Sequence, residues 1–471
     1  MDNLGPLPRC DLGDLVAEHD QSLEYRYVVN EHSKLAEDIG SNKLYFIGKK
    51  GFGKSAIIQR LRLSKPRDQI IDLGVQTGLD LLTLDTALTS LPESAQGLLF
   101  RSFWRAYFMG RIYATLGKSF STFSKTEPEK AFEYVRRVVS SGTGPQNPFS
   151  VLKSLVNSLS IRVNIKQFEA DIGVKVPSQR LTEELAKTEF LHQIQLAGEN
   201  FRGMIHHRPA YVLIDDLDQD WQNEPIQNAY LAALFDTIER FRRIEFLKFV
   251  VSLRLDIFHS LTLQNPDKIV QHVHRLSWPL PVLRQIVEQR ITLSLDEPRG
   301  RTHRRFDLKR SGNPIEIILA DCLPHPRDAI WSIQSILDLA HTQNKAVIDQ
   351  TLVTVALREA SSNRVKWICA EWRYVYPWLP KALSRFRDGP NLYSISKLTQ
   401  ALSGIADGLP QAPVIIQGLM ETGVLGLKHK PDGTPLFFFA QDPPPPPYKE
   451  SCYFEIHPAL RSALQSGKWV E

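Results

Sequence analysis

Cysteine is scarce in this chain, and the four that occur, Cys10, Cys322, Cys369 and Cys452, stand far apart without a Cys-x-x-Cys pair. That spacing excludes a disulfide framework and a cysteine-based zinc site, and it suits a reducing cytoplasm. Histidine offers no replacement, since His206, His207, His272 and His274 come without a converging ligand set. Long apolar runs are also missing. None approaches the ~20 residues that cross a bilayer, so no membrane contact is expected. The first fifteen residues carry Asp2, Asp11 and Asp14 and no continuous apolar stretch, so no secretory signal is expected and a cytoplasmic location is. Charge of one sign is not dominant: 57 Lys and Arg against 52 Asp and Glu leave +5, which permits nucleic-acid contact without requiring it. What remains is a chain of 471 residues, 42% hydrophobic, long enough for two or three packed domains.

The most informative stretch is Gly48-Lys49-Lys50-Gly51-Phe52-Gly53-Lys54-Ser55, followed by Ala56, which meets the pattern G-x-x-x-x-G-K-[ST] at every fixed position. The glycines permit a tight loop whose backbone N–H groups turn inward, at the positive end of the following helix. Such a loop cradles the phosphates of ATP. Lys54 is expected to reach the β- and γ-phosphates and Ser55 to ligate Mg²⁺. Leu44-Tyr45-Phe46-Ile47 ahead of it reads as the buried strand the motif requires.

Downstream, residues 209–216 form an unbroken apolar strand that ends in the carboxylates Asp215 and Asp216. Paired with the P-loop, this is a Walker B pattern. Asp215 is expected to hold Mg²⁺, and Asp216 to orient or deprotonate the attacking water. A second buried strand over residues 246–254 ends in polar residues, where Ser252 or Arg254 is placed to sense the γ-phosphate. The alternative for Arg254 is a simple pairing with Asp256. Arg327, ahead of a helix over residues 329–341, is a candidate second sensor. The alternative there is an ordinary helix start with Asp328 as its early acid.

Other segments frame these motifs. Residues 12–39 read as a helical lead-in anchored by Ala17, Leu23, Tyr27 and Leu35, folding over the nucleotide base. Residues 95–116 are helical and aromatic, with Trp104, Tyr107, Phe108 and Ile112 at core spacing. Residues 119–201 exceed what a minimal nucleotide-binding core needs and read as a helical insertion. Arg299, Arg301, Arg304, Arg305, Lys309 and Arg310 make a basic run that reads as a solvated loop, with nucleic-acid contact as the alternative. From Leu392 the pattern is two helices, over 395–402 and 413–420, then short strands over 423–427, 436–440 and 453–456. Pro443 to Pro447 stiffens a hairpin loop between two of them. Helices followed by a β-hairpin describe a winged-helix module, whose cations are Lys397, Lys428, His429, Lys430, Arg461 and Lys468.

Taken together the chain resembles a bacterial P-loop ATPase of the STAND and origin-recognition-complex-like AAA+ grouping. The resemblance rests on Gly48 to Ser55 and on Ile214-Asp215-Asp216-Leu217-Asp218. It extends to Ala17-Glu18-His19-Asp20, Leu253-Arg254-Leu255-Asp256, Leu276-Ser277-Trp278, Pro326-Arg327-Asp328 and the stretch from Phe454 to Leu460. It implies an α/β P-loop NTPase core with a parallel sheet, a helical lid and a C-terminal winged helix. The boundaries expected are a lead-in over 1–40, a core over 41–280 with the insertion at about 119–201, a lid over 281–385 and a winged-helix domain over 390–471. The activity implied is an ATP-binding and ATP-hydrolysing switch, working as a homo-oligomer or with a protein partner, within a prokaryotic antiviral or signalling system. The alternative is an ATP-regulated DNA-binding protein such as a loader or transposition regulator. Asp216 stands where many AAA+ enzymes have glutamate, which points to slow or assembly-dependent hydrolysis. Arg240, Arg242, Arg243 and Arg254 are equal candidates for an arginine finger.

Overall fold

The computed structural model describes residues 4–74, 93–118, 126–140, 189–217, 221, 224–263, 265–309, 311–403, 411–437, 449 and 451–466. The chain divides into two compact units. Met1–Glu31, Gly48–Ala56 and Arg275–Glu471 form one, and His32–Ile47 with Ile57–His274 form the other.

The second unit carries a five-stranded sheet. In chain order its described elements are α1 (Glu31–Glu37), β1 (Tyr45–Gly48), α2 (Lys54–Ser64), β2 (Ile70–Gly74), α3 (Glu93–Leu116), α4 (Glu127–Ser140), α5 (Glu189–Glu199), β3 (Ala210–Asp215), α6 (Pro225–Phe241), β4 (Leu247–Arg254) and β5 (Val273–Arg275). The strand order is β2-β3-β4-β1-β5. β2 pairs with β3 in parallel from Ile70 opposite Tyr211 to Gly74 opposite Asp215, and β3 pairs with β4 in parallel from Ala210 opposite Leu247. All of β3 and all of β4 up to Leu253 are buried, so apart from Lys248 and Ser252 these runs are apolar up to Asp215 and Arg254, without the alternation of a half-exposed strand.

The aromatic stripe of α3 is core. Phe103, Trp104 and Phe108 are fully buried, and the Trp104 indole N–H donates to the Tyr230 carbonyl of α6 at 3.0 Å. α6 begins on a capping box between Glu224 and Gln227 with Pro225 in its first turn. Of the expected insertion, α4 and α5 are described and helical, while 119–125 and 141–188 lie outside the described residues.

The first unit is helical with a small sheet. α7 (Leu280–Leu295), α8 (Pro326–Thr342) and α9 (Gln350–Glu371) are followed by β6 (Leu392–Ser394), α10 (Ile395–Ser403), α11 (Ala412–Glu421), β7 (Leu425–Lys428), β8 (Leu436–Phe437), β9 (Tyr453–Ile456) and α12 (Pro458–Ser466). The four strands run in the order β8-β7-β9-β6, antiparallel throughout. β6 and α12 were not among the sequence expectations. Phe454 of β9 and Leu460 of α12 are fully buried, so both elements belong to the local core. Pro443 to Pro447 lie outside the described residues.

Two expectations need correction here. The lead-in is not one helical region: within residues 12–39 the helices are only Leu23–Arg26 and Glu31–Glu37. The rest is turns and irregular chain, closed locally by the Asp20 N–H on the Val16 carbonyl and the Leu23 N–H on the Asp20 carbonyl. Leu12 N–H donates to Gln334 Oε1 at 2.8 Å, and Arg290 pairs with Asp20 at 3.0 Å. The basic run is solvated at Arg299, Arg301, Arg304 and Lys309, but it is not a loop throughout. Arg299–Arg304 is helical, and Arg305 is 4% exposed because its guanidinium forks onto Glu297 at 2.6 and 3.0 Å. Arg310 lies outside the described residues.

Candidate nucleotide site

In the first unit the P-loop turns on two glycines in the left-handed region, Gly51 at φ +86° and Gly53 at φ +78°. At Gly51 a side chain has no room, since a Cβ would lie 3.0 Å from His325 Nδ1 and 3.0 Å from the Cβ of Arg327. The Phe52 carbonyl accepts the Trp278 indole N–H at 3.0 Å, and the Phe52 ring stands 5.2 Å from that of His325. The Phe52 ring is buried and His325 is half-buried, and this burial lowers the His325 pKa from 6.5 to about 4. As a neutral imidazole His325 caps α8, accepting from the Asp328 N–H at 3.2 Å.

Lys54 folds back on its own loop, its ammonium donating to the carbonyls of Gly48 and Lys49 at 3.0 Å each. Arg327 comes next to the same loop. Its backbone N–H donates to the Gly51 carbonyl at 3.3 Å, from the first turn of α8. Ser55 and Ala56 follow in the first turn of α2, both half-buried.

Three contacts of the loop have no counterpart among the sequence expectations. Lys49 is 5% exposed, and its ammonium donates to the Glu421 carbonyl at 2.9 Å, at the negative end of α11. It also lies 5.2 Å over the Trp372 ring. Lys50 offers its backbone N–H to Glu371 Oε1 at 2.9 Å, at the last residue of α9. The Glu421 carboxylate in turn accepts from the Tyr376 hydroxyl and from Gln417 Nε2. The signal available in sequence was the run of aromatics from Trp372 to Trp378. Its tie to a loop more than 300 residues earlier had no local trace.

In the second unit, Asp215 closes β3 at 7% exposure. Ser252 on β4 donates its hydroxyl to Asp215 Oδ1, so the expected sensor residue meets the expected metal ligand. Asp215 Oδ2 is buried without a hydrogen-bond partner. Asp216 is exposed and sits at φ +58°, a left-handed conformation that aspartate tolerates better than most residues. Arg254 forks onto Asp256 at 2.5 and 3.0 Å. Among the described residues no three His, Cys, Asp or Glu gather as a metal site, and the four cysteines are free thiols. Nor does any described helix have the length and apolar character to cross a membrane.

No protein-family model matches the chain. A curated relative, the putative transposon gamma-delta 80.3 kDa protein of Escherichia coli (strain K12), is 21% identical over 463 residues, taking in 91% of this chain and 63% of that protein. The chain therefore spans less than two thirds of that relative's length. Among solved structures, it is similar to the Aeropyrum pernix ORC1 protein in complex with DNA, with a TM-score of 0.37, 13% identity and 97% of each chain covered. The Walker-type ATPase paby2304 of Pyrococcus abyssi gives a TM-score of 0.39 at 12% identity, over 92% of this chain and 95% of that one. The α/β P-loop core rests on the strand order and on the motif between β1 and α2.

Proposed function

We propose that the chain is an ATP-binding and ATP-hydrolysing switch, in which a nucleotide loop is read by a helical lid and a winged-helix module. The observation that carries this reading is the double grip on the P-loop: Lys49 on the end of α11 and the Lys50 N–H on the end of α9. An amide of the kind that receives phosphate oxygen is already receiving a carboxylate oxygen. ATP and Glu371 therefore compete for one donor, and binding has a mechanical consequence.

In this reading Lys54 leaves the carbonyls of Gly48 and Lys49 for the β- and γ-phosphates. Ser55 and Asp215 hold Mg²⁺, an assignment suited to the buried, unpartnered Asp215 Oδ2. When bound, the ion offsets phosphate charge. Ser252 fixes the Asp215 carboxylate, Asp216 positions water, and Arg327 meets the triphosphate from the start of the lid. Turnover is slow unless an arginine from an assembled neighbour completes the site, a contribution of about 10³ to 10⁵ in rate. Asp215→Asn and Asp216→Asn test the division of labour. The first loses Mg²⁺-dependent turnover, and the second keeps bound ATP while hydrolysing slowly. Wild-type hydrolysis by Asp216→Asn, or equal loss of trapped nucleotide in both, overturns the roles.

A second reading, an ATP-regulated DNA-binding protein such as a transposition regulator, is favoured by the likeness to the E. coli putative transposon gamma-delta protein. The charge of the C-terminal module weighs against it. Lys428 and Arg461 both spend their charge on Glu455, and Lys468 lies outside the described residues. The comparisons give the defence role no support. ATPase rates with and without duplex DNA separate the two readings.

A further inference from the structure

The second unit holds a concave basic site at the end of the sheet opposite Asp215. A cavity of about 560 Å³ is lined by Arg105 of α3, Arg202, and Arg240 and Arg243 at the end of α6, over a floor that includes Phe201 and Phe241. Arg243 and Ile244 lead directly into β4 at Leu247, so the cavity opens at the amino ends of the strands. Ser252 lies five residues up β4, roughly 17 Å along the strand.

The charge balance in the cavity is lopsided. Among the described residues that line it, Glu199 is the one carboxylate, against four guanidinium groups. Arg202 shares its charge with Glu245 at 3.7 Å, and the nearby Asp236 pairs with Arg101 at 3.8 Å and also attracts Arg240 and Arg105. Arg105 is the most constrained of the four. Its Nε is buried without a hydrogen-bond partner. Burial, then the neighbouring Arg240 and Arg101, push its pKa down to about 10. Arginines at a helix C-terminus complement the helix dipole, which accounts for Arg240 and Arg243 but not for Arg105 in mid-helix or Arg202 in a separate turn. Like charges held around a cavity with low-dielectric walls focus a positive potential into it.

We infer that this cavity is a binding site for a small phosphorylated molecule, distinct from the P-loop, with phosphate oxygens taken by Arg105, Arg240 and Arg243 and an apolar portion resting on the Phe201–Phe241 floor. Guanidinium forks match phosphate oxygens two at a time, and the Arg105 Nε–H gains the acceptor it lacks. The volume is that of a nucleotide-sized ligand rather than of a polymer. The inference does not depend on what the P-loop binds.

The test uses the full chain carrying Lys54→Ala, which weakens binding at the P-loop, with tripolyphosphate and AMP as probes in titration calorimetry. Saturable one-to-one binding is expected, weakened at least tenfold by Arg105→Gln and by Arg243→Gln, with Arg105→Lys intermediate. Arg243 is exposed, so its variant keeps the test valid if Arg105→Gln fails to fold. Absence of saturable binding, or binding unchanged in Arg243→Gln, overturns the proposal. So does a twenty-nucleotide single strand that outcompetes AMP through these same arginines, because it makes the site a nucleic-acid surface instead.

Discussion

Lys54 and Lys49 divide the work of the loop between them. Lys54 donates to the neutral carbonyls of Gly48 and Lys49, and a triphosphate offers it a charge-assisted partner. Lys54→Ala is expected to weaken ATP binding about 10- to 100-fold, the worth of one or two charged hydrogen bonds, while leaving thermal unfolding of the free protein nearly unchanged. Calorimetry and a melting curve check both halves. Unaltered affinity contradicts the role, and a lost transition contradicts the claim that the side chain serves ligand rather than core. The P-loop was legible because its spacing is a local property of eight residues. The partners of Lys49 and Lys50 were not, because Glu371 and Glu421 are reached only through tertiary folding.

At the scale of elements, one buried ion pair joins three helices. Asp328 in the first turn of α8 meets Arg364 of α9 at 2.8 Å, with both side chains fully buried. Arg364 also donates to Ser332 at 2.6 Å and to the Ala459 carbonyl of α12, while Asp328 Oδ2 accepts the Leu323 N–H at 2.7 Å. Asp328→Asn leaves a buried guanidinium without its counter-charge and should cost about 3–5 kcal/mol, read as a lower urea midpoint for the C-terminal half. A midpoint within error of wild type contradicts it.

Two neutral histidines set a pH dependence in the same unit. Burial lowers His325 to about 4 and His457 to about 3, whereas the unfolded chain protonates both near 6.5. Between those values the unfolded state binds more protons, so stability falls as pH falls from 6.5 toward 4 and is fully present above 6.5. Urea midpoints at pH 7 and pH 5 should differ by less in the double variant His325→Gln and His457→Gln than in wild type. Long, periodic or unbroken apolar elements, such as α3 and β3, were readable from sequence because burial dictates their pattern. The strand β6 was not, since three residues carry no period. The ion-paired state of Arg305 was hidden because a charge run looks the same whether its partners are acids or water.

At the scale of the whole molecule, residues 48–56 group with the C-terminal half of the chain, although sequence order places them after the first core strand. If the loop binds ATP as proposed, its place in the unit that carries α9 and α11 gives the nucleotide a direct mechanical hold on both helices. The most direct test follows hydrogen exchange at residues 365–376 and 412–428 without nucleotide, with ADP, and with ATP and Mg²⁺. Exchange in both segments should rise with ATP, as Glu371 and the end of α11 are released, and Lys49→Met should raise it at 412–428 without nucleotide. ATP bound to saturation, with exchange in both segments unchanged, would contradict the switch.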